Sequence, residues 1–131
     1  MCPSQITQTK VYATLTQTEA YGTLERMSHE LLVFVTAPSD VEAKRIANAL
    51  VEERLAACVN IVPTIESTYR WEGRVTTDHE ALLIIKTTDE RYPELEDRVK
   101  QLHSYSTPEV IAVKIERGSS DYLSWLRDSV G

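Results

Sequence analysis

The chain has 131 residues, of which 42% are hydrophobic and 26% charged; these shares are typical of one globular domain with an ordinary core. The net charge is −6 at pH 7, and phosphate binding needs clustered Lys and Arg, so neither nucleic acid nor an anionic membrane is the expected partner. No apolar run is long enough to span a membrane.

The first 26 residues differ from the rest of the chain. They are rich in Thr and Gln, lack apolar periodicity and contain no hydrophobic core of a signal peptide. We expect residues 1–26 to be a disordered or extraneous tail, and residues 27–131 to form the working domain. With two cysteines and no CxxC motif, a cytoplasmic location fits best.

The domain opens with a strand and a helix. Leu31–Pro38 is a short apolar run, rich in β-branched residues and ended by proline, which predicts a buried central strand. Ser39 with Glu42 three residues later is typical of a capping box, in which each side chain satisfies a backbone N–H of the other residue. The helical spacing of apolar residues that follows predicts a helix over Asp40–Leu55.

A long β-hairpin is predicted next. Residues alternate with a period of two from Ile65 to Trp71. The sequence EGR then provides a turn in which Gly73 is free to adopt a positive φ. Pro63 has no N–H to donate to a ladder, so it marks an edge, a bend or a bulge. The hairpin is longer than a domain of this size needs, and we expect its tip to project.

Two helices and one strand complete the chain. Apolar residues recur on one face from Tyr92 to His103, and Pro93 suits the first turn of this helix. Pro108 biases Thr107 towards extended geometry ahead of the strand VIAVKIERG. The last segment, SSDYLSWLRDSV, predicts a short C-terminal helix.

The element order is β-α-β-β-α-β plus a terminal helix. It predicts an α+β, ferredoxin-like fold, with an antiparallel sheet and helices on one face. The other face is then bare, and Tyr69 and Trp71 on the long hairpin need cover. We expect oligomerisation that buries this face and pairs edge strands.

The sequence contains few motifs that are typical of enzymes. The chain has no phosphate-binding loop and no nucleophile elbow. His29 and His79 are best interpreted as exposed polar residues, and His103 ends a helix, where an imidazolium interacts favourably with the helix dipole. His103 and Glu109 together supply only two metal ligands, whereas a stable site usually has three or four. As an acid–base pair they would need a substrate-binding neighbour that the sequence does not reveal.

Several blocks of the sequence together resemble the CutA family of divalent-cation tolerance proteins. The match runs in order from about Leu31 to Trp125. Its blocks are LVFVTAPSDVEAKRIANALVEERLAACVNIVP, STYRWEGRV, ALLIIKTT, HSYSTPEVIAVKI and DYLSWL. The resemblance implies a homotrimer of ferredoxin-like subunits whose long hairpins pair across subunits. It also implies tolerance to divalent metals, copper above all, by binding and without enzymatic turnover.

The family's histidine block reads His-Pro-Tyr-Glu-x-Pro-Glu. The positions that match it are His103, Tyr105, Pro108 and Glu109. Ser104 and Ser106 replace the proline and the first glutamate, and Val35 stands where some bacterial members carry a cysteine ligand for copper. The resemblance thus implies His103 and Glu109 as metal ligands. Without a thiolate they suit Cu(II) or another divalent metal better than Cu(I).

Further positions match aromatic and basic residues of the family. They are Tyr69, Trp71 and Lys86. The favoured interpretation of the two aromatic residues is packing in a subunit interface. The alternative is a cleft between subunits, lined by these residues with Tyr105 and His103, that holds a small ligand or anion. The fold and trimeric habit also resemble PII-type signalling proteins, so a signalling module with a ligand in this cleft is the alternative function.

Overall fold

The computed structural model describes residues 29–131, so the predicted tail, residues 1–26, lies outside the described residues. The elements, in chain order, are β1 (Glu30–Ala37), α1 (Asp40–Glu52), β2 (Cys58–Trp71), β3 (Arg74–Thr88), α2 (Tyr92–Leu102), β4 (Val110–Lys114) and α3 (Ser120–Val130). This is the predicted order of strands and helices, including the terminal helix.

The four strands form one antiparallel sheet in the order β2-β3-β1-β4. Every second residue of the two central strands is buried under α1 and α2, because side chains alternate between the two faces of a strand. The centre of this core consists of Val33, Val35, Ile46, Leu50, Leu83, Ile85, Leu95 and Val99. The predicted α+β, ferredoxin-like fold is confirmed.

Only one of the two hydrogen bonds of the predicted capping box is present at the start of α1. Ser39 Oγ accepts a hydrogen bond from the backbone N–H of Glu42 at 3.1 Å. The Glu42 carboxylate accepts from the backbone N–H and the hydroxyl of Ser104, at 3.1 and 3.0 Å. It thereby ties α1 to the connection between α2 and β4. The helix ends at Glu52, earlier than predicted, and Arg54 adopts a left-handed φ of 60°.

A β-bulge interrupts the pairing of β2 with β3. Val62 pairs with Leu82 and Ile65 pairs with Glu80, so two residues of β2 lie opposite one residue of β3. Pro63 lies in the bulge, as the missing N–H of proline requires. An extra residue reverses the alternation of side chains. The odd-numbered residues of β2 beyond the bulge therefore share a face with the even-numbered ones before it.

This shared face is the one that α1 and α2 leave uncovered, and we call it the bare face. The pairing register places Phe34, Ile84 and Ile111 side by side across its middle. Ile111 is 55% exposed and Trp71 is 63% exposed. The bare, partly apolar face predicted from the sequence is thus present in the described residues.

The hairpin turn generates a test of local backbone strain. Glu72 and Gly73 have φ values of 50° and 79°, as a two-residue type I′ turn requires. Gly73→Ala should lower the free energy of unfolding by roughly 1 kcal/mol, because a Cβ is disfavoured at this φ, although nothing lies within 4 Å of it. Glu72→Asn should raise it by a few tenths of a kcal/mol, because Asn tolerates this conformation. Urea unfolding measures both, and an unchanged midpoint for Gly73→Ala would contradict the assignment of the turn.

Candidate functional site

A cleft of about 820 Å³ opens on the bare face. It lies between the outer half of the β2–β3 hairpin and the connection from α2 to β4. Its aromatic and acidic lining residues are Tyr69, Trp71, Tyr105, Asp78, Glu80 and Glu109. Among the described residues that line it there is no Lys, Arg or His. The cleft is therefore an acidic, aromatic surface.

Two tyrosine hydroxyls are paired with two carboxylates in this cleft. The Tyr69 hydroxyl donates to Asp78, and the Tyr105 hydroxyl donates to Glu80 Oε2 at 3.2 Å. The hydrogen bond to Asp78 raises the pKa of Tyr69. Burial, together with the charge of Glu80, raises the pKa of Tyr105 to about 12. Both phenols consequently stay protonated near neutral pH and remain hydrogen-bond donors to the two carboxylates.

His103 is buried, with 8% of its surface exposed, and its ring is held by backbone groups on both sides. Nε2 lies 2.7 Å from the carbonyl oxygen of Thr36, and Nδ1 lies 3.0 Å from the backbone nitrogen of Tyr105. A backbone N–H only donates, so Nδ1 accepts, and Nε2 carries the proton that is donated to Thr36. The ring also lies 4.8 Å from that of Tyr105. His103 thus fixes the connection on which Tyr105 stands.

Of the two predicted metal ligands, His103 is already hydrogen-bonded at both ring nitrogens within this chain. A histidine ligand binds a metal through the lone pair of a ring nitrogen, and the Nδ1 lone pair already accepts from Tyr105. Glu109 lines the cleft, whereas His103 does not. Within residues 29–131, no group of three or more His, Cys, Asp or Glu side chains is placed to hold a metal ion. Ligation by this pair stays a prediction.

The ligand-cleft candidates divide into two groups. Tyr69, Trp71 and Tyr105 line the cleft together, but Lys86 does not. Lys86 pairs across the sheet with Cys58, and its Nζ donates to the side-chain oxygen of Asn60. It is eight residues from Asp78 along β3, or about 26 Å of extended strand. Burial lowers the pKa of Lys86.

Sequence reasoning missed Asp78 and Glu80 as lining residues of the cleft. The signal was their separation by two within TTDHEALL, which places both on one face of a strand. This face is the bare one, because Ala81, Leu83 and Ile85 are fully buried on the opposite side of β3. The partner tyrosine on β2, however, reaches this face only because of the bulge.

Comparisons with known proteins show which proteins this chain is similar to. The sequence model of the CutA1 divalent ion tolerance protein family matches residues 31–129. The divalent-cation tolerance protein CutA of Thermus thermophilus is 54% identical over 102 residues, which are 78% of this chain and 99% of that protein. Its solved structure superposes with a TM-score of 0.76 over the same shares of the two chains.

Two further relatives show the spread of the family. The structure of the periplasmic divalent cation tolerance protein CutA of Archaeoglobus fulgidus is 44% identical, with a TM-score of 0.76 over 78% of this chain and 99% of that one. The chloroplastic protein CutA of Arabidopsis thaliana is 52% identical over 99 residues, which are 76% of this chain. The chain spans 54% of the length of that plant protein.

The resemblance identified from the sequence blocks is confirmed by these matches. In the part of the chain that the structure describes, none of the three helices is long and apolar enough to cross a membrane. A family match over residues 31–129 and a relative 54% identical over nearly its whole length lead to one conclusion. The chain belongs to the CutA1 family of divalent ion tolerance proteins.

Proposed function

We propose that this chain is a non-enzymatic divalent-cation tolerance protein that forms a homotrimer and binds Cu(II) or another divalent metal at sites completed between subunits. One observation carries the proposal. Asp78, Glu80 and Glu109 line one cleft on the bare face, yet residues 29–131 of a single chain contain no complete group of metal ligands. Further ligands from a neighbouring subunit would supply the missing coordination.

The bare face supports the trimer. Phe34 and Ile84 lie at its centre, and Ile111 and Trp71 expose more than half of their surface there. β2 and β4 are the edge strands of the sheet, so their outer backbone groups are available for pairing. Burying apolar side chains in an interface is favourable in proportion to the area removed from water. A second subunit on this face would bury the apolar side chains and could pair with an edge strand.

The ionisable groups of the cleft support binding without catalysis. A general acid or base works best when its pKa lies near the operating pH, whereas the pKa of Tyr105 is raised to about 12. The ring of His103 already exchanges hydrogen bonds with two backbone groups. Neither group is therefore placed to carry protons for a reaction at neutral pH.

The second candidate function is a PII-like signalling module that binds a small ligand in the same cleft. The observation that favours it is the volume of about 820 Å³, which is in the range of small-molecule sites.

We also propose a cytoplasmic location for this chain. Its relatives are named for different compartments: the protein of Arabidopsis thaliana is called chloroplastic, and that of Archaeoglobus fulgidus is called periplasmic.

The trimer is tested by light scattering coupled to size-exclusion chromatography. The full chain should elute at about three times its 14.8 kDa mass. Ile111→Lys should lower the mass, because a charge on the bare face would be buried in the interface. The matched control is Val41→Lys on α1, where the native side chain is 78% exposed; its mass should not change. A native mass near 14.8 kDa would refute the trimer.

Metal binding is tested by calorimetric titration with Cu(II). Glu109→Gln should weaken binding by about tenfold or more, because an amide is a poorer ligand than a carboxylate and lost coordination has effects of this size. The control is Glu66→Gln, which removes the same charge from an exposed site beside His79. No heat from the native protein, or an equal loss in both variants, would contradict the proposal.

The role of His103 is tested by His103→Ala. This change leaves the Thr36 carbonyl and the Tyr105 N–H without their partner, so the free energy of unfolding should fall by roughly 1–3 kcal/mol for each group. The control is His79→Ala, whose side chain is 73% exposed and whose loss should have little effect. The Cu(II) affinity of the folded variant should be unchanged. A tenfold loss of affinity there would instead make His103 a ligand.

A further inference from the structure

We propose that the hairpin tip of a second copy of this chain, residues 70–75, docks in the acidic cleft and places Arg74 beside the cleft carboxylates. The inference rests on the proposed homotrimer and names the contact that fills the cleft at each interface. Three features of the described chain support it. They are the acidic lining of the cleft, an arginine on the tip that forms no salt bridge in its own chain, and apolar side chains on both faces of the tip.

The cleft needs a cationic partner once a second subunit covers the bare face. Its lining includes the carboxylates of Asp78, Glu80 and Glu109, and none of the described lining residues is basic. The salt bridges formed within residues 29–131 include none of these three side chains. Removing acidic groups from water without a partner of opposite charge is costly. The subunit that covers this face is therefore expected to bring a positive charge to it.

The hairpin tip carries such a charge on the matching face. Arg74 pairs with Trp71 across the turn, so both side chains are on the bare face. Arg74 is exposed, and no salt bridge within residues 29–131 includes it. It does not line the cleft of its own chain, and Asp78 is four residues further along β3, about 13 Å of extended strand. Its planar guanidinium can bind a carboxylate through two parallel hydrogen bonds.

The tip has apolar surface on both of its faces. Trp71 is 63% exposed on the bare face. Val75 pairs with Arg70 on the opposite face and is 69% exposed. Burying such side chains in a contact is favourable in proportion to the area removed from water, and Trp and Arg are the residue types that most often dominate the energy of an interface. A position between protein surfaces therefore suits the tip better than solvent.

The contact joins two different surfaces, the tip of one copy and the cleft of the next. Contacts of this head-to-tail kind form a closed ring when the rotation between copies closes. In a ring of three copies, every tip and every cleft is occupied. A guanidinium that pairs with one of the three carboxylates in a cleft leaves two for the divalent ion of the proposed function.

Charge reversal tests the contact, with the mass of the assembly followed by light scattering along a dilution series. Arg74→Glu should raise the dissociation constant of the trimer by about tenfold or more, the usual effect of losing one partner of a buried charge pair. The matched control is Arg117→Glu, the same change at an exposed arginine between β4 and α3 that does not line the cleft. Its dissociation constant should equal the native value. Thermal unfolding checks that each variant is folded.

Double variants test whether the loss is specific to the cleft. Every subunit of a homotrimer carries both changes, so a swapped charge pair meets again at each interface. At least one of three combinations should return the dissociation constant towards the native value: Arg74→Glu with Asp78→Lys, with Glu80→Lys or with Glu109→Lys. Arg74→Glu with Lys114→Glu, which changes an exposed side chain outside the cleft, should not.

Cross-linking tests the contact directly. Arg74→Lys keeps the positive charge and supplies an amine that a carbodiimide couples to a carboxylate in contact with it. Trimers mixed from isotopically heavy and light chains should yield peptides that join position 74 of one chain to Asp78, Glu80 or Glu109 of another.

The results separate this contact from the proposed function. A native trimer that Arg74→Glu leaves intact, and that yields no such link between chains, refutes the docking and leaves the trimer standing. An equal loss in Arg117→Glu, or no recovery in any of the three double variants, also overturns it. A native monomer refutes the trimer and the contact together, whereas a trimer that is linked in this way but binds no Cu(II) refutes only the metal site.

Discussion

The β-bulge at Pro63 determines which side of the sheet the outer hairpin presents to its surroundings. Before the bulge, Val62 lies on the bare face opposite Leu82; after it, Ile65 does so opposite Glu80. Without the extra residue, the side chain of Tyr69 would lie on the opposite face, because strand side chains alternate strictly. The aromatic residues of β2 would then not meet Asp78. The cleft therefore depends on the extra residue of this bulge, where Pro63 is tolerated because it cannot donate to the ladder.

The two faces of the sheet differ in their surroundings, because the helices cover only one of them. The side under α1 and α2 excludes water around Ile46 and Leu83, both fully buried, and this burial stabilises the subunit. The bare face combines an apolar centre near Ile111 with an acidic cleft at the outer hairpin. An apolar centre favours association, whereas an acidic cleft opposes the close approach of like charges. A bound cation in the cleft would reduce that repulsion, so ligand binding and assembly are expected to support each other.

The fold could be predicted from the sequence because its signals are local. The period of two in the hairpin, the turn at Gly73 and the helix start at Ser39 each depend on residues within one element, and the structure contains all three. The site could not be predicted in the same way, because its contacts are distant in sequence. The partner of the His103 ring is the backbone of Thr36, 67 residues away. Lys86 matched the family's blocks but lies far along β3 from the cleft.

The histidine block is best understood as support for the cleft. A proline at position 104, as in the family's typical block, would have no N–H, whereas Ser104 donates both its N–H and its hydroxyl to Glu42 on α1. The same turn places the N–H of Tyr105 on His103, and the Tyr105 hydroxyl then reaches Glu80 on β3. Hydrogen bonds thus tie the segment Ser104–Tyr105 to the first helix, to the imidazole of His103 and to Glu80 in the acidic wall of the cleft. Because both ring nitrogens of His103 already bind backbone groups, its contribution is to position Tyr105, and the chemistry of the surface belongs to the tyrosines and carboxylates.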